Sequence, residues 1–253
     1  MVYGRIASGY RPGGPNDLPF NAPASVQRTY QPDKTTNYEL GLRTDLLDRH
    51  LSVDVTAFLV DWKKIQLFEF VQVPGTPGFG INANGGTARS KGLEWTLAAT
   101  PLTGLTFTLT GAYVDSYLTS AAPDAGGNEG DRLPYVPKFS TSLDGAYTWR
   151  AFSDFEAFAG ATWSYIGSRS NDFSTTQTAT GLAPDPRPEL PSYSTVNLRA
   201  GLENGRWTFE LYAKNVGDTR GISYYVSAGS PNYGGVAAYS QPRTLGALVT
   251  ARF

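Results

Sequence analysis

The sequence offers few residues that could catalyse a reaction or bind a transition metal. It contains one histidine, His50, and no cysteine among 253 residues. A serine–histidine–aspartate triad or a histidine–aspartate pair needs a histidine beside its catalytic partners. His50 lies in the short turn DLLDRH, where we expect a solvated side chain. Because there is no second histidine, no zinc cluster is expected either. We therefore predict no enzyme active site, no metal site and no cofactor.

The loops carry oxygen ligands that suit Ca²⁺, among them Asp124, Asn128, Glu129 and Asp131. Their spacing matches no calcium-loop motif, so an ordinary solvated loop is the better interpretation. The glycine-rich stretch at 126–130 lacks the lysine and the helix start of a phosphate-binding loop. The net charge is −1, from 21 basic and 22 acidic residues without a basic run, so no nucleic-acid partner is expected.

Alternation of apolar and polar residues is the dominant pattern of the chain. In LTFTLTGAYV, Leu105, Phe107 and Leu109 share one face, and threonines occupy the other. Such period-two alternation indicates β-strands, and no stretch approaches the 18 apolar residues of a transmembrane helix. The pattern predicts strands at residues 2–10, 34–47, 50–64, 86–100, 105–119, 137–150, 155–167, 192–203, 206–216 and 244–253.

The connections between these segments alternate between short and long. Short turns such as TPLTGL and WRAFSD follow every second segment. All 17 prolines lie in the gaps or at strand ends, where a missing N–H breaks no sheet hydrogen bond. Both ends of the chain then lie on the short-turn side. The long loops are residues 11–33, 66–85, 120–136, 168–191 and 217–243, rich in Gly, Pro, Ser and Asn.

These features favour an all-β fold, an antiparallel transmembrane β-barrel of about ten strands, over a soluble β-sandwich. The segments reach about ten residues or more, the length that a tilted strand needs to cross a bilayer. Short turns on one side and long loops on the other are typical of outer-membrane barrels. Aromatic residues predict two interfacial girdles: Trp149, Phe155, Trp207 and Phe253 near the turns, and Tyr38, Trp62, Phe139, Trp163, Tyr165 and Tyr193 toward the loops.

The apolar face of each strand must then meet lipid, and the polar face must line the lumen. A one-residue slip would turn charges outward and cost roughly 2–4 kcal/mol for each Arg or Lys near the midplane. The charged residues predicted to point inward are Glu39, Arg43, Asp54, Glu94, Arg199, Glu210, Lys214 and Arg252.

The last segment, TLGALVTARF, alternates up to the final residue. A barrel needs its last strand to pair with its first, because an open edge in lipid leaves backbone groups unsatisfied. We therefore interpret residues 244–253 as a closing strand. The segment is also similar to the C-terminal signal that the bacterial β-barrel assembly machinery recognises, and an ordinary last strand is the alternative. The signal residues would be Leu245, Ala247, Val249, Ala251 and Phe253.

Six stretches in sequence order resemble the C-terminal half of TonB-dependent outer-membrane receptors, most closely the siderophore-receptor branch. The resemblance covers essentially the whole chain. The stretches are YGRIASGYRPGGPN (3–16), TTNYELGLRTDLLDRHLSVDVTAFLVDWKKIQL (35–67), NGGTARSKGLEW (84–95), GDRLPYVPKFSTSL (130–143), FELYAKNVGDTR (209–220) and QPRTLGALVTARF (241–253).

The resemblance implies a bacterial outer-membrane receptor for ferric-siderophore complexes, whose partners are the lipid bilayer, the assembly machinery and the energy-coupling TonB protein. Family members carry an N-terminal plug inside a 22-stranded barrel. We see no plug, coupling box or signal peptide here, so we expect residues 1–253 to be a single barrel domain from a truncated receptor. TonB would then engage only the missing N-terminal part.

Ligand contacts in the family come from plug apices, outer loops and the upper lumen, so aromatic and arginine residues of the loops are the candidates. Aromatic faces and guanidinium groups suit anionic, aromatic iron chelates. No family motif fixes the positions, and the sequence does not name the ligand, since cobalamin and carbohydrate importers share this architecture. The candidate ligand-binding residues are Tyr10, Arg11, Arg169, Arg187, Tyr224, Tyr225, Tyr233 and Tyr239.

Two other functions stay open from the sequence. A small stand-alone barrel with a structural or pore role is allowed, because ten is an even number of strands and such a barrel can close on itself. An outer-membrane enzyme is the second alternative, which the single turn histidine disfavours.

Overall fold

A computed structural model describes residues 1–71, 79–122, 126–173, 189–226 and 236–253. Over these ranges all regular structure is β-strand, and no helix is long and apolar enough to span a bilayer. The strands are β1 (Val2–Arg11), β2 (Gly14–Pro15), β3 (Thr29–Tyr30), β4 (Asp33–Leu46), β5 (Leu51–Lys63), β6 (Gln66–Val71), β7 (Phe79–Asn84), β8 (Thr87–Leu102), β9 (Leu105–Leu118), β10 (Phe139–Phe152), β11 (Phe155–Ile166), β12 (Arg169–Ser170), β13 (Glu189–Leu190), β14 (Tyr193–Glu203), β15 (Trp207–Lys214), β16 (Ile222–Val226), β17 (Val236–Tyr239) and β18 (Thr244–Ala251).

Ten long strands form one antiparallel sheet in the order β1-β4-β5-β8-β9-β10-β11-β14-β15-β18. Each pairs with the next long strand along the chain, which is a meander. All ten predicted strands are confirmed, because every predicted end lies within two residues of the observed one. The prediction missed four small hairpins within the long loops, β2–β3, β6–β7, β12–β13 and β16–β17.

The register separates a polar face of the sheet from an apolar face, as predicted. Arg5 lies opposite Glu39, and Arg43 opposite Asp54, and both pairs form salt bridges, with N–O distances of 3.8 and 2.7 Å. The pair next to Arg5 and Glu39, Ile6 and Tyr38, lies on the other face. Alternation therefore collects the charges on the face that would line a lumen.

The apolar face is exposed, which is unusual for large aliphatic side chains in a protein surrounded by water. Leu40 is 63 % exposed, Leu211 68 % and Leu245 74 %. A band of exposed apolar residues on strands of this length is the outer surface of a membrane barrel. The all-β, transmembrane-barrel prediction is thus confirmed.

Several aromatic residues of this outer face contact one another. Trp95 lies 5.9 Å from Phe139, and Trp163 lies 6.4 Å from Tyr165, measured between ring centroids. Two predicted girdle members lie instead on the polar face. Trp62 donates to the carboxylate of Asp33, and Tyr193 contacts Arg169. Trp62 lies next to the end of its strand, and Tyr193 begins its strand. Closeness to a strand end therefore does not indicate which face of the sheet a side chain occupies.

The two edges of the sheet, β1 and β18, are not joined. β1 pairs only with β4 and β18 only with β15 among the described residues. The predicted pairing of the last strand with the first is therefore wrong within this chain. Closing ten strands requires tight curvature and a narrow lumen, and the sheet does not adopt it. The described residues thus do not form the closed ten-stranded barrel that a stand-alone pore would need.

A small hydrophobic cluster supports the long loops where they leave the sheet. Leu118 and Ala122 are fully buried, and Ile65, Ala88 and Phe173 are at most 3 % exposed. These residues come from four different parts of the chain. The cluster therefore fixes the loops of β5, β8, β9 and β12 to one another.

Candidate ligand-binding site in the long loops

The site lies on the long-loop side, where β12, β13, β16 and the segment before β10 meet. Its central residue is Arg169, the first residue of β12, which is only 6 % exposed. Arg169 Nη2 donates to the carbonyl oxygen of Ile222 at 2.9 Å and lies 3.4 Å from that of Ser223. One arginine thus ties hairpin β12–β13 to hairpin β16–β17.

The Tyr193 ring lies under the guanidinium group, with the Arg169 Cζ atom 5.9 Å from the ring centroid. The ring fits because residue 221 is glycine, since a Cβ atom there would overlap the Tyr193 ring. An aromatic face stabilises a buried cation by about 2 kcal/mol when the pair is desolvated. Gly221 and Tyr193 together therefore offset part of the cost of burying the Arg169 side chain.

Tyr135 is the second anchor of the site. Its hydroxyl donates to the carbonyl oxygen of Tyr225 at 2.6 Å, and its ring stacks on Tyr224 with centroids 5.6 Å apart. Its backbone N–H donates to the carbonyl oxygen of Ser170 at 2.8 Å. Burial raises the pKa of the Tyr135 phenol above its ordinary value of 10.0.

The backbone of Tyr135 is in the left-handed region, with φ of 62°. A bulky residue at positive φ costs of order 1–3 kcal/mol, and such strain persists where surrounding contacts impose it. The hydroxyl bond and the stack with Tyr224 are those contacts. Strained residues of this kind cluster at ligand-binding sites.

A cavity of about 400 Å³ opens beside these anchors. It is lined by Gly130, Asp131, Arg132, Ser170 and Glu189. The lining contains basic and acidic groups, so it suits a polar ligand that carries charges of both signs.

Two guanidinium N–H groups of the site have no acceptor among the described residues. Arg132 Nε and Arg169 Nη1 are buried there and find no partner in that part of the chain, although Arg132 Nη2 donates to the carbonyl oxygen of Val136 at 3.1 Å. Leaving a buried polar group unpaired costs about 1–3 kcal/mol, and more for a charged group. Donors without acceptors indicate a place that a ligand oxygen would satisfy. The described part of the chain has two other unpaired buried atoms, the Oδ1 atoms of Asn37 and Asn171.

Arg11 lies in a separate hydrogen-bond network, in which an acidic partner already balances its charge. Its guanidinium group forms a salt bridge with Asp33, which is 2 % exposed. The same carboxylate accepts from Trp62 Nε1 at 3.0 Å and from the backbone N–H of Gln66 at 3.3 Å. Arg11 therefore fixes the first two long loops and has less charge to offer an anionic ligand.

The remaining predicted ligand residues are distributed over three places. Tyr224 and Tyr225 lie in the site. Tyr10 is 76 % exposed and in phase with Ile6, on the apolar face of β1, and Tyr239 is 57 % exposed in β17. Arg187 and Tyr233 lie outside the described residues.

Sequence reasoning missed Arg132, Tyr135, Tyr193 and Gly221 as members of the site. For Tyr135 a signal existed, because it lies between Pro134 and Pro137, in a stretch whose backbone is restricted. For the others no local signal exists, since their contacts join residues far apart in the sequence.

The loop before β18 is anchored by the strand exit of β15. Asn215 is 4 % exposed and donates to the carbonyl oxygens of Thr219 and Gln241 at 2.9 and 2.8 Å. The backbone N–H of Arg243 and then the Arg220 guanidinium group lower the pKa of Asp218 below its ordinary value of 3.8. These bonds hold both ends of the loop that carries hairpin β16–β17.

No group of three or more His, Asp or Glu side chains able to hold a metal ion occurs over the ranges that the structure describes. The arginine and aromatic side chains around the cavity make the site a candidate for binding a polar molecule.

The profile of one protein family, the TonB dependent receptor-like β-barrel, matches residues 1–216. The chain belongs to this family. Its members are receptors of the bacterial outer membrane and span it as β-barrels, so the predicted family and location are confirmed. The long-loop side of the sheet is the extracellular side of such barrels.

Curated relatives share part of the sequence. The metal-pseudopaline receptor CntO of Pseudomonas aeruginosa is 31 % identical over 199 residues, which are 79 % of this chain and 24 % of the relative. The pesticin receptor of Yersinia enterocolitica is 29 % identical over 155 residues, 59 % of this chain and 21 % of the relative. The chain thus spans about a quarter of the length of the curated relatives it matches.

Solved structures share the fold over nearly the whole chain. The ferric yersiniabactin uptake receptor FyuA of Yersinia pestis has a TM-score of 0.75 at 21 % identity, covering 98 % of this chain and 34 % of that one. The copper transporter OprC has a TM-score of 0.70 at 16 % identity, covering 98 % and 36 %. The ten strands therefore follow an arc of a wider barrel, which explains why β1 and β18 do not meet.

Proposed function

We propose that the chain is the C-terminal barrel portion of a receptor that takes up metal complexes of small anionic chelators, with ferric-siderophore complexes as the first candidates. The observation that carries the proposal is the loop site, in which Arg132 and Arg169 each retain a buried N–H that has no acceptor within the ranges the structure describes. Chelator carboxylates or other anionic oxygens are suitable acceptors, because arginine binds them with short, charge-assisted bonds.

The aromatic residues support the same proposal. The stacked pair of Tyr135 and Tyr224 offers flat apolar faces beside the two arginines. A metal chelate presents a rigid organic shell with anionic edges, which fits such a combination of rings and guanidinium groups. Asp131 and Glu189 at the cavity add groups that suit a cationic amine on the same chelator.

Three of the reported names mention a metal, and they differ on which one. One is named for metal-pseudopaline, one for ferric yersiniabactin and one for copper. The proposal therefore places iron first and includes other transition metals in the same kind of chelate.

The partners follow from the proposed role. The apolar face would contact the outer-membrane bilayer. The β-barrel assembly machinery would recognise the last strand through Leu245, Ala247, Val249, Ala251 and Phe253. Residues 1–253 would act as one barrel domain, whose free edges β1 and β18 pair with other strands of the receptor. Coupling to TonB would run through a part of the receptor other than these residues.

The test is uptake by the intact receptor in cells that lack their own metal-chelate receptors. Radiolabelled ferric complexes of a catecholate, a hydroxamate and an aminopolycarboxylate are compared with cobalamin and a maltodextrin. We expect uptake of at least one metal chelate, and an Arg169→Ala variant should lower it about tenfold or more, since a buried charged bond contributes roughly 1.5–3 kcal/mol.

Arg206→Ala is the matched control, because Arg206 is an exposed residue of a short turn at the opposite end of the sheet. It should transport like the parent at equal amounts in the membrane. Energy-dependent uptake of cobalamin or the maltodextrin alone, with no metal chelate transported, would overturn the proposal.

A further inference from the structure

The lipid-facing side of the sheet carries basic residues at the long-loop ends of three neighbouring strands. Lys34 belongs to β4, Lys63 to β5, and Arg89 and Lys91 to β8. The register between β4 and β5 is uninterrupted, and it places Lys34 in phase with the exposed Leu40 of the apolar face. The cluster therefore faces the membrane and not the lumen.

Lys34 and Lys63 lie directly opposite each other on adjacent strands. Opposed side chains on one face have Cβ atoms about 5 Å apart, and like charges at this distance destabilise the sheet. Both lysines are exposed, and neither forms a salt bridge within the part of the chain that the structure describes.

The two neighbouring basic residues each have an acidic partner, whereas Lys34 and Lys63 do not within the described residues. Arg89 forms a salt bridge with Asp61 at 2.8 Å, and Lys91 with Asp115 at 3.9 Å. The four basic and two acidic side chains leave two positive charges, and these are on Lys34 and Lys63.

The pair lies at the outer boundary of the hydrocarbon. β4 has 14 residues, and Lys34 is its second residue on the long-loop side. At about 3.3 Å per residue and a tilt near 45°, a strand of this length rises about 33 Å, while the apolar belt of such barrels is about 25 Å tall. Lys34 is thus about at headgroup level, and so is Lys63, the last residue of β5.

We propose that Lys34 and Lys63 together bind a phosphate group of the glycolipid in the outer leaflet of the outer membrane. Its phosphates are anions held at the level of the two lysines, and one phosphate between two ammonium groups replaces their repulsion by two attractions. Tyr10, which pairs with Lys34 on the same face and is 76 % exposed, adds an aromatic ring at the interface between sugar and acyl chain.

The inference is independent of the metal-chelate proposal, since the lysine pair shares no residue with the loop site. It is tested on the intact receptor extracted from outer membranes in a mild detergent and washed free of loosely bound lipid. Diphosphorylated lipid A and its dephosphorylated derivative are titrated, and the thermal transition and the bound lipid, by mass spectrometry, are measured.

We expect the diphosphorylated lipid to raise the transition temperature and the dephosphorylated lipid to have little effect. A Lys34→Gln/Lys63→Gln variant should bind the phosphorylated lipid at least about tenfold more weakly, and Lys34→Arg/Lys63→Arg should restore binding. A Lys64→Gln/Lys214→Gln variant removes the same charge elsewhere and should bind like the parent.

Equal stabilisation by the two lipids would overturn the proposal, and so would unchanged affinity in the double glutamine variant. If that variant does not assemble, salt titration of the parent decides. Binding that survives high ionic strength without loss would contradict a phosphate held by two exposed lysines.

Discussion

Replacing Arg169 by methionine should loosen one hairpin of the loop site without unfolding the barrel. Methionine keeps much of the length of the side chain but removes its donors. The charged bond from Arg169 Nη2 to the Ile222 carbonyl, at 2.9 Å, is lost, and the second contact to Ser223, at 3.4 Å, is weak. A hydrogen bond to a charged group contributes about 1.5–3 kcal/mol, so we expect about 2 kcal/mol for opening of the hairpin β16–β17.

Hydrogen exchange measures this quantity directly. Where opening is fast, about 2 kcal/mol corresponds to roughly 30-fold faster exchange in peptides that cover residues 222–226 and 236–239. The intact receptor is compared before and after Arg169→Met substitution, with Arg206→Met as the control. Exchange in β9, residues 105–118, should be the same in all three proteins.

Two results would refute the reasoning about Arg169. Unchanged exchange in the hairpin would mean that the arginine does not hold it. Acceleration of equal size in β9 would mean that the substitution acts on the whole barrel.

Three further predictions concern the loop anchors. Asp33→Asn removes the salt bridge with Arg11 and should destabilise the first loops by about 1–2 kcal/mol, a modest loss because Arg11 is half-exposed and solvent screens its charge. Trp62 fluorescence during heating measures the loss of stability, and an unaltered transition would contradict the prediction. The Tyr135 phenol should ionise above pH 10.0. The fold favours the neutral phenol of Tyr135. The stability that this preference contributes is present below the ordinary pKa and is lost as the pH rises through the raised pKa. Ultraviolet difference titration against Tyr135→Phe measures the pKa, and a phenol that titrates at or below its ordinary value would refute the prediction. Asn215→Ala should leave two loop carbonyls without donors and cost about 2 kcal/mol, seen as faster proteolysis between residues 219 and 243; cleavage at the parental rate would argue against the anchor.

The strands were predictable because the membrane imposes a strict alternation on them. In β4, Tyr38, Leu40 and Leu42 face lipid, and Glu39 and Arg43 do not, and one residue of slip would be costly. The short hairpins of the loops were not predictable, since two paired residues, such as those of β12, carry no periodic pattern.

Part of the loop site could be anticipated from residue types. Arg169, Tyr224 and Tyr225 are predicted ligand contacts because they are aromatic or basic loop residues, and the structure brings them together. Tyr10 shows what the choice overlooked, because its phase with Ile6 already places it on the lipid-facing side of β1. The role of Arg11 depends on Asp33, 22 residues away, and no local pattern reveals that pairing.

The absence of pairing between the edge strands β1 and β18 among the described residues also has a physical explanation. The rule that an open edge is costly in lipid holds, but it does not say which strand covers the edge. The chain aligns with 34 % of the FyuA chain, so the ten strands correspond to only part of that longer receptor, and β1 and β18 lie at the two ends of the sheet.

The most direct test of the central claim is to map where a transported metal chelate contacts the intact receptor. Hydrogen exchange is measured with and without a saturating amount of the metal chelate identified by uptake, with the metal-free chelator as a control. The account predicts protection of residues 132–136, 169–170 and 222–226 by the metal complex. Saturable binding of that complex, with no protection in any of these three segments, would contradict it.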